Sequence, residues 1–469
     1  MSTLGAKILA ARAVGELARR AGRGGGTSLP GKVLMRLEPE AIAELGARLE
    51  RGSVVLSATN GKTTTAAMAA SILRSGGIEL VHNEAGANMA GGVASTLLAA
   101  ARAGGRIDGQ LGLFEVDEFW LDRVVPGLKP RAVLLANLFR DQLDRYGELE
   151  TIAERWAEVV KELPSSSALV LNADDPLVAD LGRGEAGRPG EVTYFGVEDL
   201  SVALPEMQHA SDSKHCRRCG AAYVYDTIYL GHLGRYHCPA CGQRRPEPAL
   251  AAERIELDGT RAARFTLRTP DGSVPIELPL PGLYNVYNAL AAAALCHSIG
   301  VPLHQIAAGL AAVTAAFGRA EAVAVGELEL SILLVKNPAG ANEVMRTLAL
   351  EAGELDLLGV LNDRTADGHD ISWIWDADFE LLAPLVRRIT CAGTRAAELA
   401  LRFKYAGVDS SRLQVIPELA RALDSALAET AGGRLYALPT YTALLELREE
   451  LAARGLVDRF WVKRRTVAA

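Results

Sequence analysis

Three groups of residues have the types and spacing to do chemistry. The first is Gly61-Lys62-Thr63, which follows the apolar run Val54-Val55-Leu56 and opens an alanine-rich helical pattern from Thr63 to Leu73. A loop between a buried strand and a helix start offers backbone N–H groups and the positive end of a helix dipole, and together these hold phosphate. There Lys62 would reach the terminal phosphates of a nucleotide and the Thr63 hydroxyl would hold Mg²⁺, with Thr59, Asn60, Gly61 and Thr64 completing the cradle. The general pattern has an earlier glycine where Leu56 stands, so the competing reading is a chance Asn-Gly turn; the strand-then-helix context argues against it.

The second group is Cys216-Arg-Arg-Cys219 and Cys238-Pro-Ala-Cys241, separated by 18 residues. Two Cys-x-x-Cys pairs supply four thiolates for a tetrahedral Zn²⁺, and Gly220 and Gly242 suit the tight turns of a zinc ribbon. Four sulfurs leave no open coordination position, so the metal would be structural; redox pairs or an iron–sulfur cluster are the alternatives. His215 and His237 read as neighbours only, and Cys296 and Cys391 as buried, inert thiols. The third group runs from Asn362 to Asp376, dense in carboxylates and carrying Trp373 and Trp375. It reads as a site or an interface, against the plainer reading of Asp residues that cap the next helix.

These groups need a scaffold of about three domains, which 469 residues can form without disulfide help. Apolar residues make up 49% and charged residues 23%, an ordinary globular balance. A net charge of −7 gives no electrostatic footprint for nucleic acid. Arg12, Glu16, Arg19 and Arg20 interrupt the N-terminal run before a signal or membrane-spanning segment can form, so a cytosolic protein is expected. Residues 1–50 read as a helical N-terminal segment, broken at Gly24 to Gly31 and packed on the central domain, although an amphipathic membrane contact is also conceivable. Residues 51–318 alternate short apolar runs with helical stretches, the pattern of a parallel sheet covered by helices, with the cysteine-rich insert at about 205–248. A fresh alternation from Leu330 marks a Rossmann-like α/β domain over 319–469.

The run Thr59-Asn60-Gly61-Lys62-Thr63-Thr64 resembles the phosphate loop of the Mur ligases and folylpolyglutamate synthases. Phe114 to Glu118 is similar to the strand end where that family keeps a Mg²⁺-binding glutamate, which implies this role for Glu115; Asp117 and Glu118 are less defined. Asn137 to Asp144 and Asn172 to Pro176 resemble its next segments. Gly282 to Asn288 resembles a helix start whose last Asn contacts adenine, hence Asn288, and Phe317-Gly318-Arg319 matches a Gly-Arg whose Arg reaches phosphate, hence Arg319. Typical members open the third domain with Asp-x-x-His-x-Pro; here Leu333 and Lys336 hold the Asp and His places before Asn337-Pro338, so the inherited ribose contact is missing and Lys336 has no inherited role.

The acidic, Trp-rich run is similar to the C-terminal domain of the amidating branch of the family, the ligase halves of lipid II isoglutaminyl synthase. That resemblance implies ATP- and Mg²⁺-dependent amidation of the D-glutamate α-carboxyl in lipid II at the inner face of the cell membrane, through an acyl phosphate. It also implies a heterodimer with a GatD-like glutamine amidotransferase, whose Cys–His pair would borrow an Asp from this chain: Asp376 first, then Asp370 and Asp367. The residues agree with an outside ammonia source, since a glutaminase needs a reactive Cys beside a His and zinc would take four of the six thiols. A stand-alone amino-acid ligase and an inactive nucleotide-binding scaffold are the competing readings.

Overall fold

Short runs of consecutive apolar residues, each followed by a helix, can bury both faces only inside a helix-covered parallel sheet, and that architecture forms here. The computed structural model describes residues 3–20, 28–83, 87–102, 106–141, 149–183, 190–208, 211–313 and 319–458. The strands are β1 (Ser53–Ser57), β2 (Leu80–His82), β3 (Leu111–Glu115), β4 (Ala132–Leu135), β5 (Ala168–Asn172), β6 (Val192–Val197), β7 (Val224–Leu230), β8 (Leu233–His237) and β9 (Leu250–Asp258). They continue as β10 (Ala262–Thr269), β11 (Gly272–Leu278), β12 (Arg319–Val325), β13 (Leu328–Leu333), β14 (Leu355–Val360), β15 (Val386–Ala392), β16 (Leu413–Val415) and β17 (Arg434–Pro439).

The larger sheet has the order β11-β10-β9-β6-β5-β4-β1-β3-β2, parallel from β2 to β9 and antiparallel at its β9-β10-β11 edge. Every residue of β1 is buried. Val54 and Leu56 face one core with helices Lys62–Ser75 and Leu283–Ser298, while Val55 faces the other with the N-terminal helices Thr3–Arg20, Leu29–Leu37 and Ala41–Gly46. A glycine makes that second contact possible: a Cβ on Gly31 would fall 2.0 Å from the Gly91 carbonyl, so helix Leu29–Leu37 lies backbone to backbone on helix Ala90–Ala100. Arg12 adds a bond to the Leu98 carbonyl at 2.9 Å.

The smaller sheet has the order β12-β13-β17-β14-β15-β16, antiparallel only between β12 and β13, with helices and apolar cores on both faces. The hairpin β7-β8 stands apart from both sheets and carries the four cysteines on its flanks. Among the described residues, no helix is long and apolar enough to cross a membrane.

Candidate functional site

The strand β1, with the tight turn behind it, determines where the phosphate loop stands. Gly61 adopts φ 82° and caps helix Lys62–Ser75, and a Cβ there would fall 1.9 Å from Asn288 Oδ1, so only glycine lets the loop close on the facing helix. Lys62 points into the loop, where its ammonium donates to Glu118 Oε2 at 2.7 Å and to the Ala58 carbonyl. Burial works against the Lys62 charge, but Glu118, Asp117 and Glu115 outweigh it and hold its pKa above the ordinary value. Burial likewise opposes ionisation of Glu118, and Lys62 overcomes it, so Glu118 sits below its usual range; Asp117 is pushed up by burial and by Glu118. Thr63 Oγ1 donates to the buried Glu115 Oε1 at 3.2 Å, bringing the two expected Mg²⁺ ligands side by side.

The loop is braced from two directions. Asn137 Oδ1 accepts from Asn60 N at 2.9 Å while Asn137 Nδ2 donates to Asn60 O at 3.0 Å, and Phe139 N donates to Thr59 Oγ1 at 3.1 Å. From the smaller-sheet side, Asn337 Nδ2 donates to Asn60 Oδ1 at 2.9 Å, and Lys336 pairs with Asp141. Asn337 also caps helix Pro338–Leu348 by accepting from Gly340 N at 2.9 Å. The loop, these braces and the hairpin residues Leu230 and Leu233 surround a cleft of about 440 Å³. Asn288 lines the cleft with its side chain on Thr65 Oγ1 (3.3 Å) and Asn285 Oδ1 (3.1 Å). The Arg319 side chain and residues 314–318 lie outside the described residues, as do residues 142–148.

The four cysteine sulfurs all lie within 4.8 Å of one another. A zinc tetrahedron with arms of about 2.3 Å has edges of about 3.8 Å, so the cluster fits the ion. The knuckles have the expected turns: Gly220 N and Gly242 N donate to the Cys216 and Cys238 carbonyls at 2.8 and 3.0 Å, and both glycines take φ 75°. Around them Gln243 links Cys216 Sγ, Tyr223 and Asp180. The insert is fastened to the larger sheet by a buried network: Arg245 Nε bonds Asp174 Oδ1 at 2.5 Å and Arg245 Nη1 bonds Glu198 Oε1 at 2.6 Å, with Tyr287 OH on Asp174 Oδ2 at 2.7 Å. Cys296 and Cys391 are buried, which pushes both thiols up, Cys391 to about 12.

The three C-terminal aspartates part company. Asp367 is buried and both oxygens are taken by Thr442, N and Oγ1, at the start of helix Tyr441–Ala453, which is the capping role. Asp370 accepts from Ser372 N at 2.8 Å, and that bond holds its pKa down. Asp376 is half exposed, 3.6 Å from Arg140 Nη1. Of the two tryptophans only Trp375 is exposed, edge to face with the exposed Tyr405 at 5.8 Å; Trp373 packs on the core. The sequence reading gave no individual role to Asn137, Asp141, Asn337 or Glu343: the first three lie in segments it singled out, but their contacts on Asn60 and Lys336 span long chain separations, and no motif covers Glu343.

The Mur ligase middle-domain family model matches residues 57–237, and the MurT ligase C-terminal model matches 334–444. The chain is 33% identical over 98% of its length, and 98% of the relative's, to the lipid II isoglutaminyl synthase (glutamine-hydrolyzing) subunit MurT of Streptococcus pneumoniae. Identity to the Staphylococcus aureus (strain N315) subunit MurT is also 33%, over 93% of this chain and 96% of that one. Among solved structures, a pseudomurein peptide ligase type C from Methanothermus fervidus superposes with a TM-score of 0.65 at 24% identity, covering 87% of this chain and 79% of that one, which is a likeness of fold.

Proposed function

The chain belongs to the MurT family of Mur-type ligases, the subunits of a multi-subunit synthase that amidates in peptidoglycan synthesis, and on that premise we propose how its residues carry the reaction. The substrate is the D-glutamate α-carboxylate of lipid II. One carboxylate oxygen attacks the γ-phosphorus of ATP, the bond to the β-bridging oxygen breaks, and ADP leaves. Ammonia then attacks the acyl carbon; phosphate departs with the bonding pair, the nitrogen loses a proton, and the amide remains. Lys62 neutralises the terminal phosphates, and Thr63 with Glu115 would hold the Mg²⁺ that screens the same charge. The observation that carries this reading is the convergence of Lys62, Thr63 and Glu115 in a cleft that Asn337 and Lys336 close from the other domain.

Ammonia is mostly protonated near neutral pH, so the second step needs a local supply. A GatD-like glutaminase partner would provide it, and Asp376 is our first choice to orient that partner's Cys–His pair: it is half exposed and adjoins the exposed Trp375, while Asp367 is spent on a helix start and Asp370 on the Ser372 turn. Zinc would hold the ribbon. The site of action is the inner face of the cell membrane, where the lipid substrate resides.

The test supplies lipid II, ATP and either glutamine or ammonium to the purified chain, with and without a GatD-like partner. Amidation from ammonium alone, with glutamine use only beside the partner, is the expected result. Addition of free amino acids without a partner would mark a stand-alone ligase, and no product under any condition a nucleotide-binding scaffold.

A further inference from the structure

Within the cleft one buried acid has no part in the reaction so far. Glu343 lies on helix Pro338–Leu348, on the face that carries Ala339, Gly340 and Val344 toward the cleft. It is 3% exposed, and its Oε1 accepts from Arg346 Nη1 at 3.1 Å. The second oxygen receives no hydrogen bond from any described residue, and the residue lines the cleft. Burial pushes its pKa up, with Arg346 opposing. A buried carboxylate with one oxygen on Arg346 and the other unpaired, in the lining of a ligand cleft, is an expensive arrangement, which a purely structural helix surface does not need.

Its position along the cleft is fixed at both ends. Asn337, at the start of the same helix, touches Asn60 of the phosphate loop, and Glu343 stands six residues further on, roughly 9 Å along the axis. Beyond it, Arg346 donates to the Tyr229 carbonyl at 2.7 Å and to the Val202 carbonyl at 3.2 Å, beside the hairpin residues Leu230 and Leu233. The order from the loop outward is therefore phosphate cradle, buried carboxylate, apolar wall. A nucleoside triphosphate presents its parts in the same order: phosphates, a sugar with two hydroxyl donors, and a flat base.

We propose that Glu343 binds the sugar of the nucleotide, its free oxygen accepting from the vicinal hydroxyls while Leu230 and Leu233 face the base. This rests on the nucleotide reading of the cleft. A group that only accepts suits a diol that donates, and Arg346 orients the carboxylate by occupying its other oxygen.

Equilibrium binding of ATP, 2′-deoxy-ATP, 3′-deoxy-ATP and ITP to the full chain, with zinc and Mg²⁺ present, tests this in wild type and Glu343→Gln. Loss of a hydrogen bond to a charged group weakens wild-type binding of at least one deoxy nucleotide by roughly tenfold or more, while the ITP-to-ATP ratio reads contacts to the base alone. In Glu343→Gln, which keeps size and polarity, the deoxy discrimination falls to within about threefold. Unchanged discrimination in the variant overturns the inference, because a mere counterion for Arg346 would leave that ratio alone. A shift confined to the ITP arm also overturns it, since the carboxylate would then read the base. Wild type that binds nucleotides without discriminating removes Glu343 from the sugar site but leaves the ligase reading standing; wild type that binds none removes both.

Discussion

Replacing Lys62 by methionine should separate what that residue does for stability from what it does for catalysis. Its pair with Glu118 is buried, with the two side chains 11% and 6% exposed and 2.7 Å apart. Deleting one member of a buried pair leaves the other charge uncompensated, at a cost of about 3–5 kcal/mol. For a unit the size of the central domain this lowers the melting temperature by roughly 6–20 °C. The pH dependence also changes sign. In wild type Glu118 titrates below its ordinary range, so its stabilisation is present above the unfolded carboxyl pKa and is lost only as pH falls through the lower folded value. In Lys62→Met the charge and hydrogen bond of Lys62 are gone, and burial, opposed by Lys336 and one backbone hydrogen bond, pushes Glu118 above its unfolded value of about 4.3, so stability is greatest in acid and declines as pH rises through the raised pKa. The variant therefore melts higher at pH 5 than at pH 8. Adding Glu118→Gln removes the stranded charge and should restore the melt to within about 1–2 kcal/mol of wild type. Amide formation stays at least about 10²-fold down in both variants, because the charge on the transferred phosphoryl has lost its lysine. Scanning calorimetry with an ammonium-driven amidation assay reads all of this. A single variant that melts like wild type, or a double variant as unstable as the single, refutes the pairing argument; undiminished amidation refutes the phosphate-loop assignment.

Cys241→Ser should reduce bound zinc from one ion per chain to none by elemental analysis and raise the KM for ATP, because Leu230 and Leu233 of the ribbon hairpin line the cleft. Asp174→Asn should destabilise by roughly 1.5–3 kcal/mol in thermal or denaturant melts, since the buried Arg245 loses one of its two carboxylate partners and keeps Glu198. Asp376→Asn should lower the ratio of glutamine-driven to ammonium-driven amidation in the partner complex by roughly 10²–10⁴-fold, the loss expected when the residue orienting an imidazole is neutralised.

The scaffold was readable because its signals are local. Val54-Val55-Leu56 followed by Gly61-Lys62-Thr63 sets strand, turn and helix within a dozen residues, and each Cys-x-x-Cys pair closes its own turn through the glycine that follows it. The acidic run from Asn362 to Asp376 was only partly readable, since composition marks it as unusual without saying which acid is spent on structure. Asp367 is consumed by Thr442, 75 residues away, and Trp373 by the core. Glu343 was invisible for the same reason: alone on an amphipathic helix it reads as the i,i+3 partner of Arg346, and only the fold places it in the lining of the cleft.

Five residues, Asn137 to Asp141, hold the separate parts of this molecule to one another. Asn137 and Phe139 fix Asn60 and Thr59 of the phosphate loop, while Asp141 takes Lys336 from the C-terminal side. Phe139 packs on His232 at the hairpin tip, centroids 4.6 Å apart, and Arg140 grips Asp212 at the edge of the ribbon. Arg140 also reaches Asp376, 3.6 Å away, on the face that carries Trp375. Lys336 stands where the wider family has histidine, and its bond to Asp141 and approach to the Thr59 carbonyl at 3.4 Å give it a bracing role between the domains. On the proposed mechanism, in which a carboxylate is activated for ammonia supplied by a partner, such a junction is useful. On that reading, any shift of Asp376 on docking would be felt through Arg140, which adjoins Phe139 and lies three residues from Asn137 in the brace of the phosphate loop, a distance short enough for rigid backbone to transmit.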